Sequence, residues 1–294
     1  MSAQHSGAVD ADGLMIDTPT APAGAAIDPL VERTRATWMA GDFSRIAAGY
    51  ASGAAEFVNR LSLAQGETVL DVACGTGNLA IPAARTGARV TGVDIAPNLV
   101  EQARLVAAGE GLDIRFDVGI AEALPYADGS FDTVISMFGV MFSPRPEAAL
   151  AELIRVTRPG GRIALANWDP AGFIGAMLRA HTSLVPPPAG VSSVLAWGDE
   201  PVMRRRLDVH APAVASVQFV KRTIEMSYQV SPGGVVELFR EFYGPSVRAF
   251  AALDAPNRAA LYAELLRLWS TRNDAGDAST RIDAEFVEIR ITAQ

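Results

Sequence analysis

Residues 66–80 read G-E-T-V-L-D-V-A-C-G-T-G-N-L-A. A short apolar run ending in a glycine-rich turn is the pattern of a parallel strand handing the chain to a helix. Gly75 and Gly77 allow the turn positive φ and bring backbone N–H groups close to a ligand, and the following helix presents its positive end there. Asp71 needs its own reason. A carboxylate near the end of a buried strand costs desolvation energy unless a cation or a hydrogen-bond donor meets it.

Outward from this turn the alternation continues. The pattern predicts strands at 67–73, 89–94, 112–118, 131–137 and 161–168, with helices at about 77–86, 98–109 and 146–157. Short apolar strands alternating with helices imply right-handed crossovers and a doubly wound α/β fold, its parallel sheet covered on both faces. Upstream, Pro29 to Leu63 has helical spacing through Trp38, Phe43, Ile46, Tyr50, Phe57 and Leu61, broken by G-D-F at 41–43. After Asp169 the rhythm stops. P-P-P at 186–188 with Gly190 and Gly198 marks an irregular loop over 181–198, followed by a strand at 217–228, two or three helices between Val235 and Arg272, and a strand at 284–291. These two late strands are expected to complete a seven-stranded sheet as an antiparallel edge. Residues 1–28 lack Lys and Arg and read as a disordered leader, with 29–294 one domain: a helical cap at 29–63, a core at 64–170 and an insertion with closing strands at 171–294.

Composition narrows the function. The 294-residue chain is 49% hydrophobic, enough for a substantial core, and its Lys+Arg 25 against Asp+Glu 33 gives a net charge of −8. That charge gives no general attraction to a phosphate backbone, so nucleic acid is not expected as a partner. One cysteine, Cys74, and three histidines exclude a disulfide framework and a cysteine-rich metal site. No apolar run reaches the roughly 20 residues of a membrane span, and the expected location is the cytoplasm. No metal is expected, and an oligomer is compatible with the composition.

A second acid bears on Asp71. Asp94 closes the next strand in V-T-G-V-D-I, where a carboxylate can accept hydrogen bonds from two ribose hydroxyls. Gly75, Gly77 and Ala80 also satisfy the permissive G-x-G-x-x-G/A pattern, so a nicotinamide dinucleotide is a competing ligand. Asp71 favours another. It would repel a pyrophosphate but hold an α-ammonium, and a hydrogen bond to a charged partner is worth about 1.5–3 kcal/mol. A ribose at Asp94 with an amino acid at Asp71 describes S-adenosylmethionine. In order, V-L-D-V-A-C-G-T-G-N, T-G-V-D, A-E-A-L-P-Y, S-F-D-T-V-I-S and R-V-T-R-P-G-G-R-I resemble the class I S-adenosylmethionine-dependent methyltransferases over about residues 30–170.

The resemblance implies a Rossmann-like fold and a cofactor site. In it Ala73, Gly75 and Gly77 approach the methionine part and Asp71 supports it. Asp94 takes the ribose, Ile95 packs on the adenine, and Ala121 offers its backbone to the adenine edge. Ser136 and Met137 lie near the sulfonium. Relatives often carry Asp in G-D-A-E-x-L-P, whereas here Ile120 occupies that place, which leaves adenine recognition to backbone groups or Glu122. Glu122 reads equally as a helix-start residue, and Tyr50 as a lid over the cofactor or as packing. Acceptor-side candidates are Phe138, Met141, Trp168 and Tyr243, although such aromatics also serve to pack an insertion. His181 is the lone candidate base. The expected acceptor is a small apolar or aromatic molecule methylated by in-line displacement, which needs alignment and exclusion of water more than a signature base. A nicotinamide-dependent oxidoreductase and a non-catalytic cofactor-binding protein are the alternatives.

Overall fold

The computed structural model describes residues 28–294; all but the last residue of the expected leader lies outside them. The described residues open with three helices, α1 (Pro29–Trp38), α2 (Phe43–Ala47) and α3 (Ala51–Leu61). Asp28 and Asp42 cap the first two by accepting N–H bonds from Leu30 and Ser44. The alternating region follows as β1 (Thr68–Val72), α4 (Ala80–Arg85), β2 (Arg89–Asp94), α5 (Pro97–Gly109), β3 (Arg115–Val118), β4 (Phe131–Met137), α6 (Pro146–Val156) and β5 (Thr157–Trp168). Beyond it come α7 (Phe173–Leu184), α8 (Glu200–Asp208), β6 (Val214–Tyr228), α9 (Pro232–Phe242), α10 (Gly244–Ala252), α11 (Ala255–Arg272) and β7 (Thr280–Ala293).

The strands form one seven-stranded sheet in the order β3-β2-β1-β4-β5-β7-β6. β1 to β5 are parallel; β7 runs antiparallel to β5 and β6. This is the doubly wound Rossmann-like sheet with an antiparallel edge expected from the strand pattern. The order reverses at β1, which lies between β2 and β4, so a crevice opens at the carboxyl ends of β1 and β4.

Several boundaries differ from the periodicity. α4 starts at Ala80 because Gly75 and Gly77 both have positive φ, which a helix cannot contain. β5 begins at Thr157, but the pairing jumps from Phe131–Thr157 to Thr133–Arg162, so R-P-G-G at 158–161 bulges out and Gly160 has φ +70°. The larger correction is α7. His181, expected in a loop, is in a helix whose Phe173, Ile174, Met177 and Leu178 are buried with it. Helical spacing is plain in that stretch, and the Pro-rich segment beyond Leu184 obscured it. α8 was also missed, although Asp199 caps it and Pro201 sits in its first turn.

Candidate functional site

The turn after β1 is built by hydrogen bonds that use both acids. Asp71 is 1% exposed and accepts the Ala80 N–H at 3.0 Å, tying the end of β1 to the first residue of α4. Asp94 is 6% exposed; its Oδ2 accepts from Gly75 N at 2.8 Å and its Oδ1 from Ala96 N at 2.8 Å. One carboxylate thereby joins the loops after β1 and β2. Each oxygen takes a single N–H and so keeps acceptor capacity for a ligand hydroxyl. Burial pushes the carboxyls of both acids up, against the opposing backbone hydrogen bonds, and the nearby Asp94 charge raises Asp71 further.

Two non-glycine residues with left-handed φ border this place: Ala73 after β1 and Phe138 after β4, both at +56°. Backbone strain of this kind is held at sites that surrounding structure over-determines. The two turns touch, since a Cβ on Gly139 would come within 2.6 Å of the Ala73 carbonyl oxygen. Gly75, at φ +53°, would aim a Cβ toward the Phe43 ring at 3.7 Å, across the opening of the cleft.

The cleft contains about 880 Å³ of empty space, its mouth included. Of the residues expected at the cofactor, Tyr50, Asp71, Ala73, Gly75, Asp94, Ile95, Ala121, Glu122 and Met137 line it, as does Phe138 from the acceptor side. Gly77 does not; its N–H donates to Cys74 O at 2.9 Å within the turn. Nor does Ser136, which is fully buried, with its hydroxyl donating to Val72 O and accepting from Val140 N. Ser136 therefore braces β4 against β1 and contacts the cavity only through that brace. Glu122 accepts a hydrogen bond from the Ser143 hydroxyl at 2.5 Å, linking the loops after β3 and β4. Cys74 is buried in the lining, and burial pushes its thiol up, away from nucleophilic range.

Thr34, Trp38 and Phe43, from α1 and α2, complete the wall. None of the three is among the expected site residues; Trp38 and Phe43 show in the sequence only as helical spacing. Arg35 Nε donates to the Ile95 carbonyl at 3.3 Å and Arg145 pairs with Asp28, which holds α1 over the ends of β2 and β4.

A second chamber of about 320 Å³ adjoins the cleft and shares Trp38, Phe43, Tyr50, Phe138 and Phe142 with it. Trp168 and Tyr243 line this chamber, together with Ile46, Ile174, Met177, Met226 and Phe239. Phe138 stacks on Trp168 with ring centroids 3.4 Å apart, and Tyr50 meets both rings edge-on. Two expectations fail here. Met141, 1% exposed, lines neither cavity. His181 lines neither as well: its Nδ1 lies 2.8 Å from Met177 O, so this nitrogen carries the proton, and its Nε2 accepts from the Ser246 hydroxyl at 2.8 Å. Both ring nitrogens are used in fastening α7 to α10, and burial lowers the imidazole's proton affinity.

The cleft is lined by three carboxyl groups and no Lys, Arg or His. A ligand with a ribose for Asp94 and positive charge suits that wall; a pyrophosphate does not. Fold and site together define a Rossmann-like protein with a carboxyl-lined cleft where its strand order reverses. Residues 70–165 match the family model described as a methyltransferase domain. An uncharacterized protein of Mycobacterium tuberculosis is 36% identical over 238 residues, covering 80% of this chain and 86% of that relative. A demethylmenaquinone methyltransferase of Thermus thermophilus is 41% identical over 123 residues, 40% of this chain and 56% of that enzyme. Among solved structures, the YcgJ protein from Bacillus subtilis superposes with TM-score 0.56 at 19% identity, covering 82% of this chain and 98% of that one. The chain belongs to the class I S-adenosylmethionine-dependent methyltransferases. Its cofactor is S-adenosylmethionine, which sets aside the nicotinamide reading of the glycine pattern, and the residues present fit that group.

Proposed function

We propose that this methyltransferase acts on a small, apolar or aromatic metabolite held in the second chamber. The observation that carries this reading is the chamber itself: twelve lining residues, among them eight aromatic and two methionine side chains and no carboxylate or basic group, adjoining the cofactor cleft. Such a wall recovers apolar surface at about 25 cal/mol per Å² and offers an ionic acceptor no partner.

When bound, S-adenosylmethionine supplies a methyl group already activated on a sulfonium. In this reading Asp94 holds the ribose hydroxyls, Ile95 flanks the adenine, and Ala121 meets the adenine edge. Asp71, with the backbone at Ala73 and Gly75, faces the amino-acid end. Glu122 acts through Ser143, and Met137 with Phe138 flanks the reacting centre. The Trp38, Phe43 and Tyr50 cap keeps water out, so the chain works mainly by alignment and desolvation for an in-line displacement. His181 has no place in that chemistry. The acceptor atom must then be nucleophilic without a protein base in the chamber.

Residues 29–294 would work as one unit in this account, cap and insertion closing the chamber over the 64–170 core. Among the described residues no helix is long and apolar enough to cross a membrane. A cytoplasmic site of action and an acceptor other than nucleic acid belong to the same reading. The test is turnover with S-adenosylmethionine over a panel of acceptors graded from apolar aromatic to charged. Methylation confined to the apolar aromatic members supports the proposal; turnover of only highly polar or polymeric acceptors overturns it.

A further inference from the structure

Three tyrosines are buried: Tyr50, Tyr228 and Tyr243, each between 5% and 6% exposed. The Tyr228 hydroxyl donates to the Ile46 carbonyl at 2.9 Å. Tyr50 and Tyr243 line the apolar chamber, and neither hydroxyl has a hydrogen-bond partner among the described residues. The fully sealed polar side-chain atoms without partners belong to Asn98, Asn167 and Trp197, so both tyrosine hydroxyls border open space. An unpaired hydroxyl in an apolar wall costs free energy until a ligand satisfies it. The two come from distant parts of the chain, one from the cap and one from the α9–α10 junction, and meet the same cavity beside Trp38, whose ring packs edge-on to Tyr243 at 5.9 Å.

We propose that Tyr50 and Tyr243 form the polar end of the acceptor chamber and hold a hydrogen-bond-accepting oxygen of the substrate, which is therefore a flat, uncharged, mostly apolar ring compound bearing a carbonyl, quinone or ether oxygen. This rests on the reading of the chamber as the acceptor site. Burial raises both phenols far above the neutral range, so both stay protonated and donate. They position the acceptor and remove no proton. Among the charged or titratable residues lining the two cavities, the carboxyls of Asp71, Asp94 and Glu122 and the Cys74 thiol belong to the cofactor cleft, and the chamber's titratable groups are the phenols of Tyr50 and Tyr243. The tyrosine pair supplies the hydroxyl donors of that wall, whose other side-chain donors are the indole N–H groups of Trp38 and Trp168. Tyr50 also borders the cofactor cleft, which fits the pair orienting the ring toward the methyl group.

The experiment compares two probes of nearly equal shape, indanone and indane, which differ in one carbonyl oxygen. Binding to the full chain saturated with S-adenosylhomocysteine is followed by quenching of tryptophan fluorescence, Trp38 and Trp168 lying in the chamber wall, and by ligand-observed NMR. The wild type should favour indanone by about tenfold, as two neutral hydrogen bonds would give. Tyr243→Phe should reduce that preference and Tyr50→Phe with Tyr243→Phe should remove most of it, with indane affinity unchanged in Tyr243→Phe. Calorimetry of S-adenosylhomocysteine on Tyr243→Phe, a residue outside the cofactor cleft, checks that the fold survives. Equal binding of both probes by the wild type, or an undiminished preference in the double variant, overturns the tyrosine assignment while leaving the apolar acceptor site standing. Binding of neither probe overturns both.

Discussion

Asp71 does two things that pull against each other. Its carboxylate caps the start of α4 through the Ala80 N–H, and its burial makes ionisation costly. A folded carboxyl raised above its ordinary value of 3.8 binds protons more tightly than the unfolded chain. Its contribution is therefore lost as pH rises from about 4 through the raised value. Asp71→Asn keeps an acceptor oxygen for Ala80 and removes that cost. Thermal melts of the protein without cofactor should show the variant more stable by a few degrees at pH 7.5, with the gain shrinking toward pH 4, while S-adenosylhomocysteine binds it about tenfold or more weakly. A variant that is less stable at pH 7.5 and unaffected in binding would mean the acid serves only the helix. At the neighbouring turn, Gly139→Ala places a Cβ against the Ala73 carbonyl, and about 1–3 kcal/mol of stability should be lost in denaturant titrations.

At the scale of elements, α7 and α10 are joined through His181 and Ser246. His181 loses proton affinity through burial, so the unfolded chain takes up a proton below its ordinary 6.5 and the folded chain does so only at lower pH. Stability must fall as pH drops below about 6.5. His181→Gln should cost about 1–3 kcal/mol at pH 7.5 and flatten the decline between pH 7 and pH 5, with S-adenosylhomocysteine affinity unchanged. Loss of methyl transfer without loss of stability would restore the catalytic role that a lone histidine before a Pro-rich loop suggests. In β1 to β5, apolar runs and glycine turns coincide with the elements they specify, because a buried parallel strand has no other composition open to it. In 171–213 the helices α7 and α8 bracket P-P-P, and the punctuation masked the spacing of Phe173, Met177 and His181.

Across the whole molecule, the antiparallel edge is fastened to the N-terminal cap by one acid. Glu288 on β7 has a fully buried side chain and accepts from Arg60 of α3, Arg222 of β6 and Arg290 beside it. Burial works to raise this carboxyl, but the guanidiniums outweigh it and hold it below the usual carboxylate range. Glu288→Gln, which leaves three guanidiniums facing one another, should cost roughly 3 kcal/mol in denaturant titrations. The wild type should lose the same contribution in acid as pH falls through the lowered value. That Asp71, Gly75 and Asp94 meet in one cleft is legible in the sequence because they belong to one local βαβ pattern. In the second chamber Trp168 and Tyr243 line the wall, whereas Met141 and His181 line neither cavity. Which aromatics meet in a chamber depends on how the cap and insertion fold back onto the sheet, and that is a long-range property. In the proposed function the carboxyl-lined cleft binds a cationic nucleoside through Asp94. Calorimetric titration with S-adenosylmethionine, S-adenosylhomocysteine and NAD, on the wild type, Asp94→Asn and Asp94→Ala, tests it most directly. The expected result is micromolar binding of the first two, weakened in Asp94→Asn, reduced by about 100-fold or more in Asp94→Ala, and none of NAD. Binding of NAD, or S-adenosylhomocysteine affinity indifferent to both substitutions, would contradict it.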